Sequence, residues 1–258
     1  MILAGKKAVV TGGGKGIGAA VARSLAAAGA AVLVAARTRS DVESVAAEIR
    51  SEGGEAWAAA CDVTDPAQIA DLARAAGEHL GQVDLLVNNA GIAHSAPLKA
   101  ITLETWNRIF AVNVTGTFLC TQAFLPGMVE RGWGRVVNVA SIAGRAGAPY
   151  IAAYSASKHA VLGFTRSVAA EVAASGVTVN AVCPGYVDTD MTRDSVERIV
   201  QKTGRPAEQV TEAIRRTSPQ GRLLDPEEVA YLVLSLCDPR ARGINGQAIV
   251  QDGGSLLA

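Results

Sequence analysis

The sequence contains a tyrosine and a lysine, Tyr154 and Lys158, whose spacing suits acid–base chemistry. Residues four apart lie on the same face of a helix, so the two side chains can cooperate. A free phenol, with a pKa of about 10, exchanges protons poorly at neutral pH. A neighbouring ammonium stabilises the phenolate and lowers that pKa. The pair therefore predicts a general acid–base, although this spacing also occurs in ordinary surface pairs.

Two other polar residues occupy positions from which they can reach the same cleft. Ser141 follows the apolar run 136–140, thirteen residues before Tyr154, and its hydroxyl can hydrogen-bond a carbonyl or alkoxide oxygen. Asn113 lies within a predicted helix, where asparagine is locally unfavourable, which indicates a role in binding water or backbone. We predict Asn113, Ser141, Tyr154 and Lys158 to be the catalytic residues.

A glycine-rich turn follows the first apolar run. Its glycines permit positive φ and close approach of a ligand, and the helix that follows presents free N–H groups to phosphate. Three residues separate Gly12 from Gly16, so the spacing differs from the usual G-x-G-x-x-G fingerprint. The turn nevertheless predicts a dinucleotide site, with contacts from Gly12, Gly14, Lys15, Gly16, Ile17 and Gly18.

The end of the second strand indicates which dinucleotide is bound. An acidic residue there would hydrogen-bond the ribose 2′-hydroxyl, but this strand ends in Arg37, with Arg39 and Lys15 nearby. With three cations and no acid in the segment, a 2′-phosphate is favoured, because guanidinium groups bind it in a bidentate manner. We predict NADP(H) over NAD(H). The alternative is that both arginines are merely exposed loop residues.

Polar residues also follow the third and fourth strands, at the edge where ligands collect in open α/β sheets. Asp62, next to Val63, can accept from an adenine amino group, although a turn or capping role is equally ordinary. The run containing Asn89, Ala90 and Gly91 follows the fourth strand, where turn formation alone would also explain it. We predict that all five residues contact the cofactor.

Strand-like and helical stretches alternate along the whole chain. Parallel crossovers are needed to join strands separated by such helices, so the sheet should be covered on both faces. The prediction is one α/β domain over residues 1–258, a Rossmann-type doubly wound parallel sheet of about seven strands. The predicted strands are 7–11, 31–36, 55–60, 83–87, 135–140, 177–182 and 247–250, and the predicted helices include 18–28, a helix capped by Asp41, 105–131 and 152–174.

The segment 190–224 interrupts this alternation. It is charged, contains two prolines and has weak helical periodicity. We interpret it as an insertion that forms a lid over a substrate cleft, with a solvated surface loop as the alternative.

Composition excludes several other classes of protein. Lys plus Arg and Asp plus Glu each total 24, which argues against nucleic acid or a membrane surface as the main partner. The four cysteines form no C-x-x-C pair, and no His/Cys/Asp cluster has metal-ligand spacing, so no metal site is expected. Without a signal-type segment or a run of about 18 apolar residues, a cytoplasmic location is expected.

Taken in order, these motifs resemble the short-chain dehydrogenase/reductases. The resemblance runs nearly end to end and rests on the glycine turn 11–18, the run 88–91, Asn113, Ser141, Tyr154-x-x-x-Lys158, Pro184-Gly185 and the tail 252–254. It implies hydride transfer between a nicotinamide and a carbonyl or alcohol carbon.

The resemblance also implies a role for each residue. Tyr154 would exchange the proton, Ser141 would hold the substrate oxygen, and Lys158 would bind the nicotinamide ribose and depress the tyrosine pKa. Asn113 would hold a water in a proton relay to Lys158. Pro184, Gly185, Val187 and Thr189 would contact the cofactor, and the common assembly would be a homotetramer built on the helices starting near residues 107 and 152.

The substrate is the least determined feature. Within the family, residues 136–185 most resemble 3-oxoacyl-thioester (acyl carrier protein or CoA) and polyketide ketoreductases, and cations in the insertion could meet a phosphorylated pantetheine. Candidate substrate contacts are His94, Tyr150, Tyr186 and Ser141, although His94 is also readable as a simple loop histidine. Two alternatives stay open, namely a secondary-alcohol or 3-hydroxyacyl-CoA dehydrogenase working oxidatively, and a non-catalytic dinucleotide sensor or scaffold.

Overall fold

Seven parallel strands form the centre of the computed structural model, which describes residues 1–256. They are β1 (Lys7–Thr11), β2 (Ala31–Ala36), β3 (Ala56–Ala60), β4 (Leu85–Asn88), β5 (Gly134–Val139), β6 (Val177–Pro184) and β7 (Ala248–Gln251). They pair in one sheet in the order β3-β2-β1-β4-β5-β6-β7. The strand order reverses between β1 and β4, which is where such sheets leave a crevice at their carboxyl edge.

Nine α-helices flank the sheet within the described residues. They are α1 (Gly16–Ala27), α2 (Arg39–Ser51), α3 (Pro66–Leu80), α4 (Leu103–Phe110), α5 (Gly116–Glu130), α6 (Ala152–Glu171), α7 (Asp190–Thr203), α8 (Ala207–Arg215) and α9 (Pro226–Cys237). One core cluster joins the sheet to α1, α2 and α9, and a second joins it to α3, α5 and α6. Helices therefore cover both faces, which confirms the predicted doubly wound fold.

Several element ends differ from the sequence-based expectation. Helix α1 begins at Gly16, two residues earlier than predicted, because the glycine turn itself enters the helix. Thr38 occupies the N-cap position of α2, so Asp41 lies in the first turn and was wrongly predicted as the cap. An acid in the first turn still interacts favourably with the helix dipole, which is why the two positions are hard to separate by sequence.

The helix predicted over 105–131 contains a π turn. Residues Ala111–Thr115 form the wider turn between α4 and α5, and it changes which side chains face inward. Asn113 is consequently 1% exposed and points into the protein. By length and composition the joined helix Leu103–Glu130 could also span a membrane, but here it packs against α3, β5 and α6.

The insertion 190–224 forms helices α7 and α8 instead of an irregular loop. Its two ends are tied together at the sheet edge. Asp188 N donates to Leu224 O at 2.9 Å, and Leu224 N donates to Tyr186 O at 2.9 Å. The insertion thus leaves and rejoins the fold at one place.

Candidate active site

A cavity of about 890 Å³ lies beyond the carboxyl ends of the central strands. Because these strands are parallel, the segments that follow them meet at one edge of the sheet. Of the residues predicted from the sequence, the lining includes Ile17, Asn89, Gly91, His94, Ser141, Tyr150, Tyr154, Lys158, Pro184, Gly185, Tyr186, Val187 and Thr189. The remaining predicted residues do not line it, namely Gly12, Gly14, Lys15, Gly16, Gly18, Arg37, Asp62, Val63, Ala90 and Asn113.

A short turn after β5 positions Ser141 against helix α6. The Ser141 Oγ accepts a hydrogen bond from Ala143 N at 3.1 Å, and Ser155 Oγ donates to Ala143 O at 2.8 Å. Gly144 allows close packing, since a Cβ there would lie 2.8 Å from the Lys158 carbonyl oxygen. The turn therefore holds Ser141 beside the first turns of α6, which carry Tyr154 and Lys158.

Lys158 is buried against the end of β5. Its side chain is 5% exposed, and Nζ donates to Val139 O at 2.8 Å. The ammonium lies 5.7 Å from the centroid of the Tyr154 ring. Burial lowers the pKa of Lys158 to about 8, because desolvation disfavours the charged form.

Burial also dominates the pKa of Tyr154 and raises it above the ordinary phenol value. A hydrogen bond with the Ser141 side chain acts in the opposite direction, and the nearby Tyr186 and Cys183 add smaller raising effects. The phenol is accordingly protonated at neutral pH, which is the form that can donate a proton.

Asn113 holds the loop after β4 against α6. Its Oδ1 accepts from Ile92 N at 2.8 Å, and its Nδ2 donates to Ile92 O and to Ser157 Oγ, both at 3.0 Å. Ser157 Oγ in turn donates to Tyr154 O at 2.7 Å. Sequence reasoning missed Ser157, although its position three residues after Tyr154 places it on the same side of the helix.

The glycine turn is packed tightly against the segment after β4. Gly12 has φ +64°, and a Cβ there would lie 2.8 Å from Ala90 Cα. Thr11 Oγ1 accepts from Asn89 N at 3.2 Å, and Asn89 Nδ2 donates to Gly12 O at 2.9 Å. Thr11 therefore organises the turn. In the sequence, the signal for this role is the position of Thr11 directly before the glycines.

The start of α1 has the features of a phosphate cradle. Gly16 has φ +52°, and a Cβ there would lie 3.0 Å from Thr189 Cγ2, while one at Gly18 would overlap the Gly12 carbonyl oxygen. No side chain caps the helix, so its first N–H groups have no side-chain acceptor among the described residues. These residues fit a dinucleotide pyrophosphate.

The cations near the end of β2 are not equivalent. Lys15 Nζ lies 3.3 Å from Asp41 Oδ2, so the expectation that no acid is nearby was wrong. Arg39 forms an exposed pair with Glu43 at 3.3 Å. Arg37 is exposed and forms no ion pair within residues 1–256. It is therefore the cation of the three that is most available to an anion.

Asp62 and Val63 have structural partners near the third strand. One carboxylate oxygen of Asp62 accepts from Thr64 N at 2.9 Å and from Thr64 Oγ1 at 2.8 Å, which forms an Asx turn. Val63 is buried, and a Cβ on Gly116 would lie 2.6 Å from its Cγ2. The second carboxylate oxygen of Asp62 takes part in neither of these hydrogen bonds.

Comparisons with known proteins agree with this geometry. The family model described as short chain dehydrogenase matches residues 6–199. D-beta-hydroxybutyrate dehydrogenase from Cupriavidus necator is 40% identical over 256 residues, which is 98% of each chain. The 3-oxoacyl-[acyl-carrier-protein] reductase from Synechocystis is 40% identical over 258 residues, covering 99% of this chain and 98% of the relative.

A solved structure extends the likeness to three dimensions. A single-residue variant of actinorhodin polyketide ketoreductase, solved with NADPH, is 40% identical, with a TM-score of 0.94 and 97% of each chain covered. The family model covers most of the chain, and the relatives cover nearly all of it. This chain therefore belongs to the short-chain dehydrogenase family and is an oxidoreductase acting on hydroxyl or keto groups.

Proposed function

We propose that this protein uses NADPH to reduce a carbonyl, in a 3-oxoacyl thioester or a polyketide-type ketone, to a secondary alcohol. The observation that carries the proposal is the convergence of Ser141, Tyr154 and Lys158 on one cavity that Ile17, from the start of α1, also lines. The likeness to reductases of 3-oxoacyl-[acyl-carrier-protein] and of a polyketide supports the substrate class.

Each side chain has a distinct task in this proposal. The chemistry supplied by bound NADPH is hydride donation to the carbonyl carbon. Ser141 Oγ holds the substrate oxygen as negative charge develops on it. Tyr154 gives its phenolic proton to that oxygen, and the Lys158 ammonium stabilises the phenolate left behind and binds the nicotinamide ribose.

Asn113 is proposed to extend the proton path behind Lys158 by holding a water. Gly91 supports this role, because a Cβ on it would lie 3.4 Å from Asn113 Oδ1 and 3.6 Å from Lys158 Nζ. The two polar groups therefore face the same small space, which a glycine keeps open.

The direction of the reaction is proposed from the reductases among the relatives. Burial raises the pKa of Tyr154, so the phenol is protonated at neutral pH, which is the form that donates the proton in reduction. The second candidate is an oxidative secondary-alcohol or 3-hydroxyacyl-CoA dehydrogenase. The similarity to a D-beta-hydroxybutyrate dehydrogenase favours it.

The cofactor assignment rests on residues that suit a phosphorylated dinucleotide. The pyrophosphate would be held at the start of α1 by Gly14, Gly16, Ile17 and Gly18, with Thr189 opposite. Lys15 and Arg37 would take the 2′-phosphate. The remaining proposed contacts are Gly12, Asp62, Val63, Asn89, Ala90, Gly91, Pro184, Gly185 and Val187. NAD(H) remains the alternative cofactor.

Changing Arg37 to Asp should reverse the cofactor preference. The carboxylate would repel a 2′-phosphate and could accept from a 2′-hydroxyl, so kcat/KM with NADPH should fall about 100-fold while that with NADH changes little. Arg39→Asp is the matched control, because Arg39 is already paired with Glu43. An unchanged NADPH/NADH ratio in Arg37→Asp would refute the 2′-phosphate site.

A two-direction turnover screen tests the function itself. NADPH and NADH would be paired with acetoacetyl thioesters, cyclic ketones and aryl ketones, and NADP⁺ and NAD⁺ with the corresponding alcohols. Fastest turnover of a 3-oxoacyl thioester with NADPH is expected. Turnover only in the alcohol direction at neutral pH would replace the proposal with the second candidate.

The insertion 190–224 is proposed to act as a lid within one domain. Lys202 Nζ donates to Ser95 O at 3.1 Å, which bridges α7 to the opposite side of the cavity. Backbone amides of α7 and α8 should exchange hydrogen more slowly once NADPH and a ketone are bound. Equal exchange with and without these ligands would argue for a fixed surface element.

A cytoplasmic homotetramer is proposed for the assembly. Phe118 on α5 is 42% exposed and meets Phe164 of α6 edge-on, with ring centroids 6.4 Å apart. These are the helices on which the resemblance places the tetramer contacts. Light scattering after size-exclusion chromatography should give about four times the chain mass of 26.4 kDa.

A further inference from the structure

We infer that Arg198 and Lys202, on the cavity face of α7, bind an anionic group of the substrate, with His94 beside them. The inference rests on the proposed carbonyl reduction and specifies its substrate further. The anion is a carboxylate on the oxo acid itself or a phosphate on a pantetheine carrier. Both are tetrahedral or planar oxyanions that guanidinium and ammonium groups bind well.

The first support is the placement of the two cations along α7. The cavity is lined by a helical series from this element, namely Met191, Ser195, Arg198, Ile199 and Lys202. Positions 198 and 202 are four apart, so they lie on one face of the helix. The same cavity is lined by Ser141 and Tyr154, so both charges share a space with the proposed reaction centre.

The second support is that neither charge is neutralised by the protein. Arg198 Nη2 donates to Ser195 Oγ at 3.1 Å, and its Nε is buried without a hydrogen-bond partner. Lys202 Nζ donates only to the Ser95 carbonyl oxygen. Neither forms an ion pair within residues 1–256, which leaves donors on both for a ligand oxyanion.

The other five cations of the insertion behave differently. Arg193 pairs with Asp188 and Asp190, Arg216 with Glu212, and Arg222 with Glu228. The remaining two, Arg205 and Arg215, are exposed and do not line the cavity. Two of the seven positive charges in the insertion therefore line the cavity, a distinction that the sequence could not make.

His94 supplies a neutral donor or acceptor next to this pair. His94 lines the same cavity as Lys202 and Arg198, and burial together with their positive charges lowers its pKa. A neutral imidazole can hydrogen-bond an oxyanion without adding a third positive charge.

The rest of the substrate wall is largely apolar, including Ala93, Ala148, Pro149 and Ile151. Arg198 is half-buried with an unpartnered Nε, so an uncharged ketone would leave that donor unsatisfied in such a cavity. An anionic substrate would pair with Arg198 and with the exposed Lys202, and would be oriented with its oxo group away from α7. We therefore expect selectivity for anionic over neutral 3-oxo substrates.

The test measures KM and kcat for three 3-oxo substrates in the intact protein. Acetoacetate carries a carboxylate, acetoacetyl-CoA carries phosphates, and acetoacetyl-N-acetylcysteamine is neutral. In Arg198→Met and in Lys202→Met, KM for an anionic substrate should rise about 10- to 100-fold, because a charge-assisted hydrogen bond is lost. KM for the neutral thioester and the Kd for NADPH should change less than twofold.

The pattern among substrates identifies the source of the anion. A loss confined to acetoacetate assigns a carboxylate site, and a loss confined to acetoacetyl-CoA assigns a phosphate site. Equal losses with the neutral thioester, no loss with either anion, or weakened NADPH binding would each overturn the inference. Arg193→Met is the matched control, because it removes an arginine from the same helix outside the cavity.

Failure of this inference differs from failure of the proposed function. A wild-type protein that reduces the neutral thioester, but whose two variants show no selective loss, retains the function and loses the anion site. A wild-type protein that reduces none of the three substrates contradicts the function itself.

Discussion

Replacing Tyr154 by Phe should lower kcat for carbonyl reduction by about 10³-fold while leaving NADPH binding within about twofold. The substitution removes the phenolic proton but keeps the ring that packs in the cavity, and general acid catalysis typically contributes 10²- to 10⁴-fold. Loss of NADPH absorbance would measure turnover, and a fluorescence titration would measure cofactor binding.

Tyr186 is the appropriate comparison for that variant. Like Tyr150 it lines the same cavity, and partial burial raises its pKa, so it is a further phenol that could donate a proton. Tyr186→Phe should affect mainly KM. If Tyr154→Phe kept more than a tenth of the wild-type kcat, or if Tyr186→Phe caused the larger loss, the assignment of the acid would be wrong.

Replacing Lys158 by Met should abolish most turnover and make the fold more stable. Burial lowers the pKa of this ammonium from 10.5 to about 8, a shift that corresponds to about 3 kcal/mol of unfavourable desolvation at neutral pH. Methionine has a similar length and carries no charge, so it relieves that cost and loses the hydrogen bond to Val139 O. We expect the free energy of unfolding to rise by about 1–2 kcal/mol at pH 7.

The stability difference should depend on pH in a defined direction. Below about pH 8 Lys158 is charged in both the folded and unfolded states, so its unfavourable contribution is complete. Between about pH 8 and 10.5 the folded protein releases this proton before the unfolded chain does, so wild-type stability rises with pH relative to the variant. Denaturant unfolding of both proteins at pH 7 and pH 9.5 should show the gap narrowing.

Lys99→Met is the control for Lys158→Met, because Lys99 is exposed and outside the cavity. Its unfolding free energy should stay within about 0.5 kcal/mol of the wild type at both pH values. A Lys158→Met variant that is less stable than the wild type at pH 7 would show that the ammonium is a net stabilising group.

The fold was predictable because its signals are local and repeated. Strand-like runs alternate with helical stretches throughout, and parallel crossovers are the arrangement that joins such elements. Parallel pairing also brings the carboxyl ends of the strands to one edge of the sheet. The order of the motifs alone therefore predicts that Ser141, Tyr154 and Lys158 lie in one cleft. Element ends were less accurate, since capping at Thr38 and the start of α1 depend on turn geometry.

Other features needed the tertiary structure because they depend on what surrounds a side chain. The π turn at 111–115 directs Asn113 to Ile92 and Ser157, which a regular helical pattern does not reveal. The sequence showed cations near β2 without showing that Asp41 pairs with Lys15. It also shows seven cations in the insertion without separating the two that line the cavity.

The sequence by itself was enough to determine the fold and to predict which residues carry the chemistry, through their types and their order along alternating strands and helices. Only the tertiary structure decided their electrostatic state. A neighbouring lysine predicts a lowered phenol pKa, yet the structure shows burial as the larger influence on both Tyr154 and Lys158. The physical reason is that spacing along a helix specifies which residues of that helix are neighbours, whereas desolvation depends on every segment that packs around them.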